Sequence, residues 1–135
     1  KIYVPTDVVC VKSIEKKENI RILETKNVDN NDYIVDIGTE TISLYKRIIS
    51  KSSCVIWNGP MGIIEIPEYL KGTIAILDSI KQISKKGGLS IIGGGDTSTI
   101  IKRDEMNNFT HISTGGGACL KLLSGKNMPA FDALN

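Results

Sequence analysis

The chain is poor in the residues that most often announce a chemistry. It has a single histidine, His111. No Ser-His-Asp set, H-E-x-x-H pair or cluster of metal-ligand residues can be assembled, so hydrolase and metalloenzyme readings have little to stand on. The three cysteines, Cys10, Cys54 and Cys119, are odd in number, far apart and never in a C-x-x-C pair. That argues against a disulfide framework or zinc site and makes a reducing, cytoplasmic location the expectation. No apolar run approaches the roughly 20 residues that span a bilayer, and no signal peptide is visible. Charge of one sign is not in excess: 17 basic and 15 acidic residues give a net +2. This balance calls for neither nucleic acid nor a membrane surface, although a local cationic site for phosphates remains open. Because the chain starts at Lys1 rather than Met, a processed product or a fragment is expected.

What is present fits one domain or a large piece of one. The 135 residues are 41% hydrophobic and 24% charged, ordinary values for a folded globular chain with a real core. Short β-branched runs alternate with helical periodicity. Strands are expected at Ile2-Tyr3-Val4, Val8 to Val11, Tyr33 to Ile37, Cys54 to Trp57, Leu89 to Ile92 and His111 to Ser113. Helices are expected from an N-cap at Thr39 to about Ser50, from beyond Pro67 to about Lys85, from Asp96 to about Arg103, and from about Gly116 to Leu123 with Gly125 as its cap. Ile42, Tyr45, Ile48 and Ile49 share one helical face, as do Leu70, Ile74, Leu77, Ile80 and Ile83. The segment 12–31, with its charge run Glu15-Lys16-Lys17-Glu18, reads as irregular or as a hairpin with a solvated surface, and the tail 128–134 as loop with a little helix. The strands are almost continuously apolar, as strands covered on both faces are. The expected class is therefore α/β: three layers, α/β/α, around a parallel Rossmann-like sheet, incomplete if the chain is a fragment.

In such a sheet ligands bind beyond the carboxyl ends of the strands. Gly38, Asn58-Gly59-Pro60, Gly93 to Asp96 and Ser113 to Gly117 all fall at such ends, sharing one rim. Two of these loops are glycine triplets, Gly93-Gly94-Gly95-Asp96-Thr97 and Gly115-Gly116-Gly117-Ala118, each followed by a helix. Backbone without side chains at a helix start lets several N–H groups face an anion. Neither triplet is a Walker A loop or a G-x-G-x-x-G fingerprint. Asp96 reads either as an N-cap or as a ligand for the magnesium of a nucleotide, and Thr97 as a phosphate contact. Asn58 to Gly62 reads as a tight turn or as a nucleotide contact, with Glu65 reaching ribose hydroxyls. His111 reads as structural sooner than catalytic, and Trp57 as core.

The motifs together resemble phosphoglycerate kinase. Val55-Ile56-Trp57-Asn58-Gly59-Pro60-Met61-Gly62 with Glu65, Lys71-Gly72-Thr73, Ile91 to Thr97, and His111 to Ala118 with Leu120, Leu122 and Leu123 carry the likeness, with Asp36-Ile37-Gly38 and Pro5 to Val9 in the right order. The resemblance covers residues 1–135 as part of the C-terminal nucleotide-binding domain, roughly the last third of a family member. It implies phosphoryl transfer between 1,3-bisphosphoglycerate and MgADP, giving 3-phosphoglycerate and MgATP in glycolysis. It also implies a full-length enzyme that is monomeric and contacts neither nucleic acid nor membrane. On the resemblance, Asp96 binds the Mg2+ that accompanies ADP or ATP, and Gly94, Gly95 and Thr97 hold the nucleotide phosphates. Asn58 lies near the phosphates, Pro60 packs on the nucleoside and Glu65 takes the ribose. Gly115, Gly116 and Gly117 offer N–H groups to the transferring phosphoryl.

The chain departs from the family pattern at Ile34, where Gly is common against the adenine, at Thr39-Glu40, Ile64, Lys121 and Ser124. The family's N-terminal domain and the lysines of the early C-terminal domain fall outside the chain. The rival reading is a nucleotide- or phosphate-binding module without catalysis. An oxidoreductase domain of flavodoxin-like or dinucleotide type lacks its fingerprint.

Overall fold

A computed structural model describes residues 1–16 and 18–134, with the backbone alone at Phe131. Lys17, part of the charge run, and the side chain of Phe131 in the tail lie outside the described residues. The strands are β1 (Asp7–Val11), β2 (Arg21–Glu24), β3 (Tyr33–Ile37), β4 (Cys54–Asn58), β5 (Leu89–Gly93) and β6 (His111–Ser113). The helices are α1 (Thr39–Ile49), α2 (Lys71–Lys85), α3 (Gly95–Thr99), α4 (Gly116–Leu123) and α5 (Pro129–Asp132).

The parallel α/β architecture is present. β4, β5 and β6 form a parallel sheet in that order, with Asn58 opposite Gly93 and Gly93 opposite Ser113. α2 packs against β4 and β5, and α3 and α4 pack against β5. Trp57, Ile92, Ile76, Leu77, Ile80, Ile101 and Phe109 form the buried core between them, with Ile37 joining from β3. Trp57 is core, as its place in the strand predicts, but its indole N–H has no hydrogen-bond partner among the described residues. It lines a groove of about 290 Å3 along β4 with Tyr3, Tyr45, Ile56 and Met61.

Parallel pairing does not extend to the first half. β2, β1 and β3 form a separate antiparallel sheet in that order. Connection length accounts for the β1–β2 pair: residues 12–20 are a link of nine residues, whereas a parallel crossover needs about a dozen residues or more. Segment 12–31 supplies one strand, β2, which forms a hairpin with β1, and among its described residues the remainder holds only the 3-10 turn at Thr25–Asn27. Ile2-Tyr3-Val4 forms no strand, and Ile2 and Val4 are exposed. No described strand lies beside this segment, and an extended segment needs a neighbour to satisfy its backbone.

Three helix expectations shift. α2 starts at Lys71, after a 3-10 turn at Pro67–Tyr69, and its buried face is Thr73, Ile76, Leu77, Ile80 and Ile83, while Ile74 is exposed. The i, i+3, i+4, i+7 series thus runs through Thr73 and Ile76, and a small threonine replaces the large apolar residue the pattern sought. α3 ends at Thr99 instead of Arg103, and Arg103–Asn108 is a separate 3-10 segment. Thr39 is the first residue inside α1, and Gly38 occupies the N-cap.

The cap of α1 comes from a distance. Asp7, buried at the start of β1, accepts the N–H groups of Glu40 (3.0 Å) and Thr41 (2.7 Å) and the Thr41 hydroxyl (2.7 Å). Asp36, buried on β3, does the same for α2 by accepting the Gly72 N–H at 2.7 Å, together with its neighbour Ile37 N–H at 2.8 Å. The two carboxylates are tuned in opposite senses. Burial opposes ionisation of Asp7, but the hydrogen bonds from Thr41 and Glu40 outweigh it and lower its pKa. Burial dominates at Asp36 and raises its pKa, with the Gly72 and Ile37 N–H groups offsetting it only in part.

Candidate functional site: a glycine-lined face

The carboxyl ends of β4, β5 and β6 bring three loops together. Gly94 N–H donates to the Ser113 carbonyl at 3.0 Å, joining the two triplets. Gly116, the first residue of α4, packs so closely that a Cβ there would sit 2.5 Å from Asn58 Oδ1 and 2.7 Å from the Gly94 backbone. Any larger residue would push these loops apart. Gly94 has φ +109° and ψ 134°, backbone that glycine adopts without strain. These two glycines let β5 turn sharply into α3 while the start of α4 closes on the same point.

Thr97 is fully buried, and its hydroxyl accepts the Gly59 N–H at 3.2 Å. The side chain read as a phosphate contact thus ties the first triplet to the loop after β4. Thr73 of α2 grips the same loop further on, accepting the N–H groups of Met61 (3.0 Å) and Gly62 (3.3 Å). Ile63 N–H then donates to the Val35 carbonyl at 3.0 Å, and Ile63 and Ile66 pack on a second buried cluster of Val11, Val35 and Tyr69. Pro60 and the exposed Glu65 lie on this pinned loop, and neither is hydrogen-bonded to a triplet among the described residues. Gly38 does not share the rim contacts; it packs against Asp7.

The helix starts on this face remain open. The first intrahelical bonds are Ser98 N–H to Gly94 in α3 and Cys119 N–H to Gly115 in α4, both to carbonyls. The N–H groups of Gly95, Asp96 and Thr97, and of Gly116, Gly117 and Ala118, precede them and have no intrahelical acceptor. Neither helix has a side-chain cap at its N-cap residue. Asp96 is exposed in the first turn of α3 and is not its N-cap, which is Gly94. Its carboxylate makes no hydrogen bond or ion pair among the described residues. Gly95, Gly115 and Gly117 are exposed as well. Among the described residues no three His, Cys, Asp or Glu side chains cluster to cage a metal. A cation here would have one protein carboxylate and would need a ligand's own oxygens, which is how magnesium is held on a nucleotide.

His111 is exposed at the start of β6, outside the triplet contacts. Sequence reasoning missed Thr73 and Asp36 as the supports of the loop after β4 and of α2. Their signal was the family likeness alone, which runs through Asp36-Ile37-Gly38 and Lys71-Gly72-Thr73.

The phosphoglycerate kinase family model matches residues 1–126. The chain belongs to the phosphoglycerate kinase family. It is 37% identical to phosphoglycerate kinase of Plasmodium falciparum over 99% of its own length and 33% of that protein. It is 40% identical to the cytosolic phosphoglycerate kinase of Leishmania major over 98% of its length and 32% of the relative's. Leishmania major also has a similar form described as glycosomal. Among solved structures, phosphoglycerate kinase from Coxiella burnetii superposes with a TM-score of 0.83 at 30% identity, covering 98% of this chain and 34% of that one. The chain thus spans about a third of the length of the family members it matches. Among the described residues no helix is long and apolar enough to cross a membrane.

Proposed function

We propose that the glycine-lined face is part of the nucleotide site of a phosphoglycerate kinase, within its C-terminal domain. The whole enzyme would move a phosphoryl group from the acyl phosphate of 1,3-bisphosphoglycerate to the terminal phosphate of ADP, leaving the carboxylate of 3-phosphoglycerate. The observation that carries this reading is the pair of uncapped helix starts, α3 and α4, held against each other by Gly94 and Gly116. Such transfer needs positioning and charge stabilisation more than a covalent nucleophile. Six orphan N–H groups on one rim suit it.

In this reading Gly94, Gly95 and Thr97 hold the nucleotide phosphates: the N–H groups of Gly95 and Thr97 face them, and Gly94, whose N–H is taken by the Ser113 carbonyl, lets them approach the backbone closely, while the Thr97 side chain keeps the Gly59 turn in place. Gly115, Gly116 and Gly117 face the transferring phosphoryl, whose equatorial oxygens gain from the α4 dipole. Asn58 orients at the phosphates, Pro60 packs on the nucleoside, and Glu65 accepts ribose hydroxyls from the loop that Thr73 pins. Asp96 would hold the magnesium of MgADP or MgATP, which neutralises phosphate charge when bound. The cell compartment proposed is the cytoplasm and the full-length enzyme a monomer.

Calorimetry with MgADP tests the assignment. Asp96→Ala is expected to weaken magnesium-dependent affinity about tenfold or more and to change fold stability by less than about 0.5 kcal/mol. Equal affinity with and without magnesium in the unaltered chain would overturn Asp96 as the ligand. The chain, a third of its relatives' length, is expected to show no turnover alone in a coupled ATP assay.

A further inference from the structure

The end of the parallel sheet opposite the glycine face carries an unusual concentration of positive charge. Residues 46–53 and 79–88 hold Lys46, Arg47, Lys51, Lys81, Lys85 and Lys86 and no carboxylate, leaving eleven cations against fifteen carboxylates in the rest of the chain. Lys81 is committed to Glu105 at 2.8 Å and Asp78 at 3.4 Å. The other five make no ion pair among the described residues, and all five are exposed. Helical spacing brings three of them, Lys46, Arg47 and Lys86, over one groove. Lys46 and Ser50 lie one turn apart on α1 and the turn that ends it, and Ser79, Gln82, Ile83 and Lys86 run along one face of α2 and its cap. Together with Arg47 they line a groove of about 470 Å3. A second hollow of about 300 Å3 adjoins it at Ser50, Ile83 and Lys86 and continues to Gly87 and Gly88.

Cations near a helix C-terminus commonly offset the negative end of the dipole. Five cations unpaired among the described residues, at two helix ends, exceed what that needs, and three of them, Lys46, Arg47 and Lys86, line a concavity. The serines do not compete for a ligand as donors: Ser50 donates to the Arg47 carbonyl and Ser79 to the Ala75 carbonyl, at 2.9 and 2.8 Å. The donors left for an anion are Lys46, Arg47, Lys86 and the Gln82 amide. Arg47 offers the planar fork that matches a phosphate, and lysines serve as point charges. No aromatic side chain lines either hollow, so base stacking has no platform. A concave rim without exposed apolar insertions also fits a soluble ligand better than a lipid surface.

We propose that the groove between the C-terminal halves of α1 and α2 is a second anion site, remote from the glycine face. It takes a small soluble molecule bearing two or more phosphate groups. The site does not depend on the nucleotide reading, because it uses neither triplet.

Titration of the 15N-labelled full chain with inorganic tripolyphosphate at low ionic strength tests it. Amide shifts are expected across residues 46–53 and 79–88, saturating independently of any shifts at 93–97 and 115–117. Reversal of two cations, Arg47→Glu with Lys86→Glu, should weaken this binding at least tenfold, while the charge-matched pair Lys26→Glu with Lys102→Glu changes it less than threefold. Both pairs are checked for native circular dichroism, and Arg47→Gln with Lys86→Gln serves if the reversal fails to fold. Absence of binding, shifts confined to the glycine loops, or equal weakening by both pairs would each overturn the proposal. So would preferential binding to phosphatidylserine vesicles with no response to tripolyphosphate.

Discussion

Two kinds of helix start coexist in this chain. α1 and α2 begin closed: a buried aspartate from the antiparallel sheet, Asp7 or Asp36, reaches across the chain to accept their leading N–H groups. α3 and α4 begin open, with glycine at the N-cap and no side-chain acceptor. The chemistry of the exposed ends is the same in all four, four orphan donors and a partial positive charge. The difference lies in who supplies the anion. Where the protein supplies it, the helix is part of the scaffold. Where nothing among the described residues supplies it, the proposed nucleotide would, and both open ends sit on the rim that the parallel sheet provides.

The largest effect is expected from breaking a closed start. Asp36→Ala leaves the buried N–H groups of Gly72 and Ile37 without an acceptor and removes the α2 cap. The cost should be roughly 2–4 kcal/mol in urea unfolding. Asp36→Asn, which keeps an acceptor oxygen, should cost less. The Asp96 variant is the counterpart on an open start, where stability is expected to stay while ligand affinity falls. Were Asp96→Ala to destabilise the chain as much as Asp36→Ala, the distinction between closed and open starts would collapse.

Next in size is Gly116→Ala. Its Cβ would lie within 2.5 Å of Asn58 Oδ1 and 2.7 Å of the Gly94 backbone, so the loops must part. Overpacking of this kind costs roughly 1–3 kcal/mol, and MgADP binding should fall with it. Gly117→Ala is the control, since a Cβ at Gly117 meets nothing within 4 Å. Equal melting temperatures for the two variants would show that the open starts are not held together by close approach.

The open starts were legible in the sequence because glycine triplets after apolar runs are local signals. The closed starts were not. Asp7 and Thr41 are 34 positions apart, and Asp36 and Gly72 are 36 apart; no local pattern joins them. The antiparallel sheet was hidden for a related reason. Asp7-Val8-Val9-Cys10-Val11 is buried at all but one position, so its hydrophobic run reads like a parallel strand covered on both faces. Connection length, not composition, decides its pairing with β2. Thr97 shows the limit at the site itself: its place beside the triplet was readable, but its burial and its bond to Gly59 were set by β4, 38 residues away.

The smallest effect sharpens the comparison between the two closing carboxylates themselves. In the fold Asp7 titrates below its ordinary value of 3.8 and Asp36 above it. Asp7 therefore contributes stability that is fully present above the unfolded value and is lost as pH falls through its lowered folded value. Asp36 has the opposite sign. Its charged form is disfavoured in the fold, so stability on its account rises as pH falls from its raised folded value toward 3.8, and the penalty is complete above the folded value. Urea midpoints between pH 2.5 and 7 separate them. Asp7→Asn should remove part of the acid sensitivity below pH 4, whereas Asp36→Asn should remove a gain that the unaltered chain shows just above it. Identical pH profiles for the two variants would mean that the carboxylates are tuned alike. The same cap would then be tolerated charged in both places, and burial would not be what distinguishes β3 from the edge where β1 meets α1.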